Sequence, residues 1–296
     1  MLKPDTLWQT VIARTKHAQK CGALVSIPTQ YELIEQDGIC FIVRILSNLV
    51  RKDEAKQQQN KPTANSDKEF NPFLPYDEDL FVADISNNHV CILNKFNVVD
   101  HHLLIVTREF EEQESWLNLP DFEAMWITLA QIDGLVFYNS GKTAGASQRH
   151  KHLQLVPLPL APAKMQIPIE PLLEKAQFQN SIGTIAFPFL HAFARLDPSW
   201  VQSPSQAAAL TLECYRNLVR AVKLINGDKD KPGAYNLLAT RRWILIVPRS
   251  QEYFDSISIN SLGFAGALLV RNEQQMQLVK DYGPMRLLSQ VGVEAK

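Results

Sequence analysis

Four cysteines occur in 296 residues, at positions 21, 40, 91 and 214, and no two of them form a C-x-x-C pair. That scatter fits neither a disulfide framework nor a zinc site built from cysteine pairs, and it points to a reducing compartment. Long apolar runs are also missing. No segment reaches the ~20 consecutive apolar residues that a membrane helix requires, and the first 25 residues carry Lys3, Asp5, Arg14, Lys16 and Lys20. The expectation is a cytoplasmic protein without a targeting segment or membrane partner. An excess of positive charge is lacking too: 30 basic against 31 acidic residues give a net charge of −1. A chain without a global basic field is a poor candidate for nucleic-acid binding, although a local anion site stays open. What remains, with 46% hydrophobic and 21% charged residues, is ordinary for a globular protein of one large domain or two fused smaller ones.

Along the chain, Asp5 to Cys21 has helical spacing, with Leu7, Trp8, Val11 and Ile12 as its apolar stripe. Arg51 to Asn71 is rich in Gln, Asn, Lys and Asp, as expected of a surface loop able to close over a ligand. His89–Leu93 and His102–Val106 read as strands joined by the turn Asn94-Lys95-Phe96-Asn97, Asp121–Asp133 as a helix, and Gly134–Tyr138 as a strand. A small, polar loop from Asn139 to Ser147 then leads to an extended run from His150 to Val156. The second half offers a helix from Ser205 to Asn226 and strands at Tyr235–Leu238 and Trp243–Val247. An echo of Leu103-Leu104-Ile105-Val106-Thr107-Arg108 in Ile244-Leu245-Ile246-Val247-Pro248-Arg249, together with similar element order, suggests duplication.

The chemistry concentrates in His150-Lys151-His152-Leu153-Gln154. In a strand, His150, His152 and Gln154 share one face and Lys151 and Leu153 the other. The bare H-x-H pattern also fits a surface strand with chance histidines or a zinc pair. Zinc needs further ligands, and His89, His101, His102 and His191 are distant in sequence. An anion role fits the preceding loop, where Gly141, Gly145, Ala146 and Ser147 offer unobstructed backbone N–H groups and Lys142 adds a cation. A neutral imidazole can attack phosphorus to give a phosphoramidate, dividing one difficult transfer into two in-line displacements.

These residues resemble the diadenosine tetraphosphate phosphorylases, or ATP adenylyltransferases, of the histidine-triad superfamily. The resemblance runs from Leu93-Asn94-Lys95-Phe96 through Phe137-Tyr138-Asn139-Ser140-Gly141, Gly145-Ala146-Ser147-Gln148 and the histidine segment to Val247-Pro248-Arg249-Ser250 and Asn260-Ser261-Leu262-Gly263-Phe264. It implies an α+β fold, a histidine-triad-like antiparallel sheet built from two related halves and flanked by helices. It makes His152 the nucleophile, with His150 and Gln154 beside it. It further implies nucleotide contacts at Asn94, Lys95, Asn139, Gly145, Ala146, Ser147, Gln148, Asn260, Ser261, Leu262 and Arg271, and a phosphate-binding lysine at Lys52.

The implied reaction cleaves a dinucleoside polyphosphate with inorganic phosphate to ADP and ATP. Histidine-triad hydrolases carry a third histidine where Gln154 stands, so the resemblance favours transfer to phosphate over transfer to water. A hexose-1-phosphate uridylyltransferase, a hydrolase and a catalytically silent nucleotide sensor are the rivals. Residues 1–160 are expected to form the catalytic half and 161–296 the half that completes the nucleotide site. Mg²⁺ is expected to arrive with the polyphosphate, without a cage of protein ligands.

Overall fold

The structure, a computed structural model, describes residues 6–46, 70–161, 166–225 and 231–295. Helix α1 (Leu7–Cys21) buries Leu7, Val11, Thr15 and Ala18, a spacing of three and four that makes one stripe, and it stops at Gly22 in the left-handed conformation. Hairpin β1 (Thr29–Gln36) and β2 (Ile39–Leu46) follows. The first half then supplies β3 (Phe81–Asp84), β4 (His89–Leu93), β5 (Leu103–Thr107), helix α2 (Leu119–Gln131), β6 (Gly134–Asn139) and β7 (His152–Pro157). In the second half come β8 (Gln177–Gln179), β9 (Ile182–Thr184), β10 (Ala192–Arg195), helix α3 (Pro204–Ala221), β11 (Tyr235–Ala239) and β12 (Trp243–Pro248). After a short hairpin, β13 (Tyr253–Phe254) and β14 (Ile257–Ser258), the chain closes with β15 (Ala267–Val270) and helices α4 (Glu273–Tyr282) and α5 (Pro284–Val291).

Ten strands make one antiparallel sheet in the order β3-β4-β5-β7-β6-β11-β12-β10-β9-β8. Read outward from the centre, each half has the same plan, and in both a long helix joins the third strand to the fourth. The halves meet where β6 pairs with β11, Asn139 opposite Asn236 and Phe137 opposite Leu238. This duplication corrects the strand correspondence suggested by the sequence echo. By position, β12 matches β7 and the counterpart of β5 is β10; Leu103–Arg108 and Ile244–Arg249 look alike because their strands, β5 and β12, are buried throughout. The counterpart of the histidine strand, Trp243–Pro248, is buried throughout and carries no titratable group.

Two cores flank this sheet. On one face α1, α2 and α3 bury Leu7, Trp126 and Leu218 against Leu153 and Leu155 of β7. On the other, Phe137, Val156 and Leu245 pack with Phe41 of β2, Val270 of β15 and Leu287 of α5. That second layer rests on the three-stranded sheet β1-β2-β15, in which β15 runs parallel to β2 and so ties the C-terminal half to the beginning of the chain. No described helix is long and apolar enough to cross a membrane.

The expected elements recur within a few residues, with one difference that matters for the site. The run from His150 is not strand throughout: β7 begins at His152, and His150 forms an isolated bridge with Glu112. Here the chain leaves β6 and pairs instead with residues 111–113, Lys151 N–H donating to the Glu111 carbonyl at 2.8 Å.

Candidate active site

His152 opens β7 between two neighbours, with Val106 of β5 beside it and Gln154 lying between Leu104 and Phe137. Its backbone N–H donates to Gln113 Oε1 at 2.8 Å, and Gln113 Nε2 in turn donates to the carbonyls of Asn139 and His152 at 2.9 and 3.2 Å. Gln113 is buried and spans the gap where β6 and β7 have parted. The imidazole is oriented by its own chain: Nδ1 lies 2.8 Å from the His150 carbonyl oxygen. A carbonyl only accepts, so Nδ1 carries the hydrogen and the Nε2 lone pair is available, without a hydrogen-bond partner among the described residues. The ring is 5% exposed. Burial pushes its pKa down to about 4, outweighing the opposing hydrogen bond to the His150 carbonyl. At neutral pH His152 is therefore an uncharged, pre-oriented nitrogen nucleophile.

His150 has the opposite tautomer. Its Nε2–H donates to the Thr107 carbonyl at 2.8 Å, and Nδ1 accepts from the Asn71 amide at 3.0 Å. With both nitrogens engaged, His150 serves through its carbonyl, which fixes His152. The ring of Phe73 stands edge-on to both imidazoles, 5.7 Å from His150 and 5.2 Å from His152. Asn71 ends the polar stretch Arg51–Asn71 expected to form a surface loop, whose residues before Phe70 lie outside the described residues, and Phe73 follows two residues later.

Gln154 is oriented by a relay. Asn94 Nδ2–H donates to His102 Nδ1 at 3.1 Å, which leaves the hydrogen on Nε2 to donate to Gln154 Oε1 at 3.0 Å. The Gln154 amide thus has its oxygen committed and its two N–H donors uncommitted among the described residues, the polarity needed to bind an equatorial phosphate oxygen. His102 is buried with both ring nitrogens bonded, and its bond to Gln154 sets the polarity of that amide.

Lys151 projects to the helix side. Its ammonium, 1% exposed, meets Asp121 Oδ2 at 2.7 Å and Glu111 Oε2 at 3.0 Å. Asp121 is the third residue of α2, where with Asn118 it completes a capping box, and it also accepts from His89 Nε2 at 3.0 Å. Burial would raise the Asp121 carboxyl, but the His89 hydrogen bond and the Lys151 charge hold it below the usual range.

The glycine loop differs from the expectation of an open anion nest. Ala144 and Ala146 N–H both donate to the Gly141 carbonyl, at 3.1 and 3.0 Å, and Gly145 N–H donates to Lys142 at 2.9 Å. The loop closes on itself as a 3-10 turn, Lys142–Ala144, its backbone donors paired within the loop. Ser147 and Gln148, by contrast, have no backbone bond of this kind among those described.

Behind this loop the halves interlock. Asn139 Oδ1 accepts from Asn236 Nδ2 at 2.9 Å, from Ser261 N at 2.9 Å and from Ser261 Oγ at 2.7 Å. Arg249 donates to Asn236 and, at 2.9 Å, to the Ile259 carbonyl. Asn139 and Ser261 are buried in this network, and the Asn260 side chain caps the turn Ser261–Phe264 by accepting from Leu262 N. Gly145 packs so closely here that a Cβ would lie 2.9 Å from the Ile259 oxygen, and its φ is +87°. Lys95 lies 3.7 Å from Asp77, and exposed Arg271 precedes α4. Lys52 lies outside the described residues. Gln113, Asn71 and Asp121 carried no signal in the sequence, because each meets the histidine segment from an element remote along the chain.

Comparison with known proteins gives this arrangement its family. The Ap4A phosphorylase N-terminal domain model matches residues 1–175, and the ATP adenylyltransferase C-terminal domain model matches residues 185–294. The chain belongs to the Ap4A phosphorylase family. It is 32% identical to diadenosine 5',5'''-P1,P4-tetraphosphate phosphorylase 2 of Saccharomyces cerevisiae over 249 residues, 73% of this chain and 74% of the relative. Among solved structures, yeast Ap4A phosphorylase Apa2 in complex with Ap4A superposes with a TM-score of 0.81 at 25% identity, covering 100% of both chains. The complex of Apa2 with AMP gives 0.81 at 26% identity, covering 100% of this chain and 99% of that one. Membership of this family makes the chain a nucleotidyltransferase with nucleotides as its substrates.

Proposed function

We propose that the chain cleaves diadenosine tetraphosphate with inorganic phosphate to ADP and ATP, with His152 as the nucleophile. In the first step His152 Nε2 attacks an α-phosphorus, the N–P bond forms, the bond from that phosphorus to the bridging oxygen breaks, and ATP leaves. In the second, an oxygen of inorganic phosphate attacks the same phosphorus, the N–P bond breaks, and ADP leaves with His152 restored. The carrying observation is the Nε2 lone pair of a buried, uncharged imidazole whose Nδ1–H is fixed on the His150 carbonyl. A polyphosphate leaving group needs little protonation, so no carboxylate acid is required near Nε2.

Gln154 is assigned to an equatorial phosphate oxygen, and its relay through His102 and Asn94 supports that role. Lys95, Gly145 to Gln148, Asn260, Leu262 and Arg271 are assigned to the nucleotides, with Asn139 and Ser261 acting through the network that fixes the loop, and Lys52 to phosphate. On this reading residues 1–160 carry the chemistry and 161–296 complete the nucleotide site. Mg²⁺ is assigned to the polyphosphate, whose oxygens are the hard donors it favours. The unpaired state of all four cysteines supports a cytoplasmic, reducing location.

Incubation of diadenosine tetraphosphate with and without phosphate tests the reaction. ADP, and ATP beyond one equivalent of enzyme, should appear only with phosphate, and an adenylyl adduct on His152 should be absent from His152→Ala. Phosphate-independent release of AMP would make the enzyme a hydrolase, and tight binding without an adduct would make it a sensor.

A further inference from the structure

Away from the histidine strand, His17, Cys21 and Asp79 bring their ligand atoms within 4.8 Å of one another. His17 and Cys21 stand four residues apart in the last turns of α1, so they share one face of the helix. Asp79 comes from the 3-10 turn Glu78–Leu80, on which α1 packs. All three side chains are exposed, but their backbones are fixed. Ala18, between the two helical residues, is fully buried, and Leu80, next to Asp79, is buried. Asp77 caps the turn by accepting from Asp79 N at 3.1 Å. The C-terminal end of α1 lies here as well, where the helix dipole favours a cation.

We propose that His17, Cys21 and Asp79 form a site for a borderline-soft divalent ion, Zn²⁺, with solvent completing the tetrahedron. An imidazole nitrogen, a thiolate and a carboxylate are a zinc donor set, whereas Mg²⁺ and Ca²⁺ favour oxygen alone. Tetrahedral zinc with bonds of ~2.0–2.3 Å sets its ligand atoms roughly 3.4 Å apart. His17 Nε2 and Asp79 Oδ1 are now 2.7 Å apart, sharing a hydrogen. To hold the ion, this pair must open by under about 1 Å, and pairs lying as far as 4.8 Å apart must close by up to roughly 1.4 Å, within the rotamer freedom of three exposed side chains. On binding, Cys21 releases its thiol proton to solvent and His17 moves its hydrogen from Nε2 to Nδ1 through water, leaving a thiolate and a carboxylate to balance the ion's two charges. Arg14, whose charge acts on Asp79, remains outside that balance. The ion would staple α1 to the segment that carries Asn71 and Phe73 to the histidines. Cysteine spacing alone could not reveal the site, because it joins one cysteine to two other residue types on separate elements.

The test titrates the untagged, full-length, nucleotide-free protein with Co²⁺ and Zn²⁺. One equivalent of Co²⁺ should give a thiolate charge-transfer band in the near ultraviolet with intense tetrahedral ligand-field absorption, and Zn²⁺ should displace it. Cys21→Ser should abolish the band. His17→Ala and Asp79→Asn should each weaken affinity by at least about 10-fold, the loss that even an outer partner of a metal ligand causes. Zn²⁺ should raise the melting temperature of the parent protein and not of Cys21→Ser, while adenylyl-adduct formation stays unchanged in that variant. Absence of the band at saturating Co²⁺, or its persistence in Cys21→Ser, would overturn the proposal. Because no readout of metal binding depends on phosphorolysis, this outcome is independent of the proposed reaction.

Discussion

Lys151 Nζ lies 2.7 Å from Asp121 Oδ2, on the face of the sheet opposite the imidazole of His152. The residue between the two histidines is thereby anchored to the first turn of α2, where the helix dipole already favours the Asp121 carboxylate. A buried pair of this kind costs desolvation, and its removal from one side leaves the other charge uncompensated. Lys151→Met should therefore destabilise the protein by about 3–5 kcal/mol in denaturant titration. Adding Asp121→Asn to it should recover part of that loss. A single variant as stable as the parent would refute the anchoring role.

The low pKa of His152 makes a kinetic prediction. Burial holds the ring neutral until its folded pKa of about 4. The single-turnover rate of adduct formation should stay level as pH falls from 8 towards 5 and then drop with a midpoint near that value. A midpoint close to 6.5, the ordinary histidine value, would show that the ring is more hydrated than the structure indicates.

The same shift has a consequence for stability, with its sign fixed by linkage. Between the folded value of about 4 and the unfolded value of 6.5, the unfolded state binds the extra proton, so stability falls as pH drops through this window. The loss attributable to His152 approaches an order of 3 kcal/mol at the acid end. His152→Asn should flatten the pH dependence of unfolding free energy over this range; an unaltered slope would assign it to other groups.

Gln154 depends on His102 for its polarity. Loss of one oriented donor to a transition-state oxyanion typically costs about 100-fold or more, so Gln154→Ala should lower the adduct-forming rate to that degree. His102→Phe should lower it less, by roughly 10-fold, because the amide remains but is free to flip. If His102→Phe were fully active, the relay would have no functional role.

Gly145 tests how closely the halves fit. At φ +87°, with a Cβ placed 2.9 Å from the Ile259 oxygen, Gly145→Ala must strain the loop or push the turn after Ile259 away. A loss of about 1–3 kcal/mol is expected, accompanied by a raised KM for nucleotide. Parent-like stability would mean that the loop and the second half move apart freely.

Much of the fold is legible from hydrophobic period. The stripe of α1 and the buried runs of β4, β5, β11 and β12 identify themselves, since burial on two faces demands mainly apolar residues. The echo between Leu103–Arg108 and Ile244–Arg249 misassigned the duplication for the same reason. Burial makes unrelated strands alike, and only the pairing of β6 with β11 reveals which strands correspond. Likewise, the backbone donors of the glycine loop look available in the sequence, because glycines advertise freedom without saying which carbonyl will satisfy them.

By itself, the sequence determined the chemical types at the site: two imidazoles and an amide at alternate positions, preceded by a loop of small residues. Tertiary structure alone decided how each group is used. Gln113 reaches His152 across 39 positions, His102 reaches Gln154 across 52, and Asn71 reaches His150 across 79. Strand alternation sets the face on which a side chain lies, but a hydrogen-bond partner depends on which distant backbone the sheet brings to within about 3 Å. That placement gives His152 and His150 opposite tautomers, and so makes one the nucleophile and the other its support.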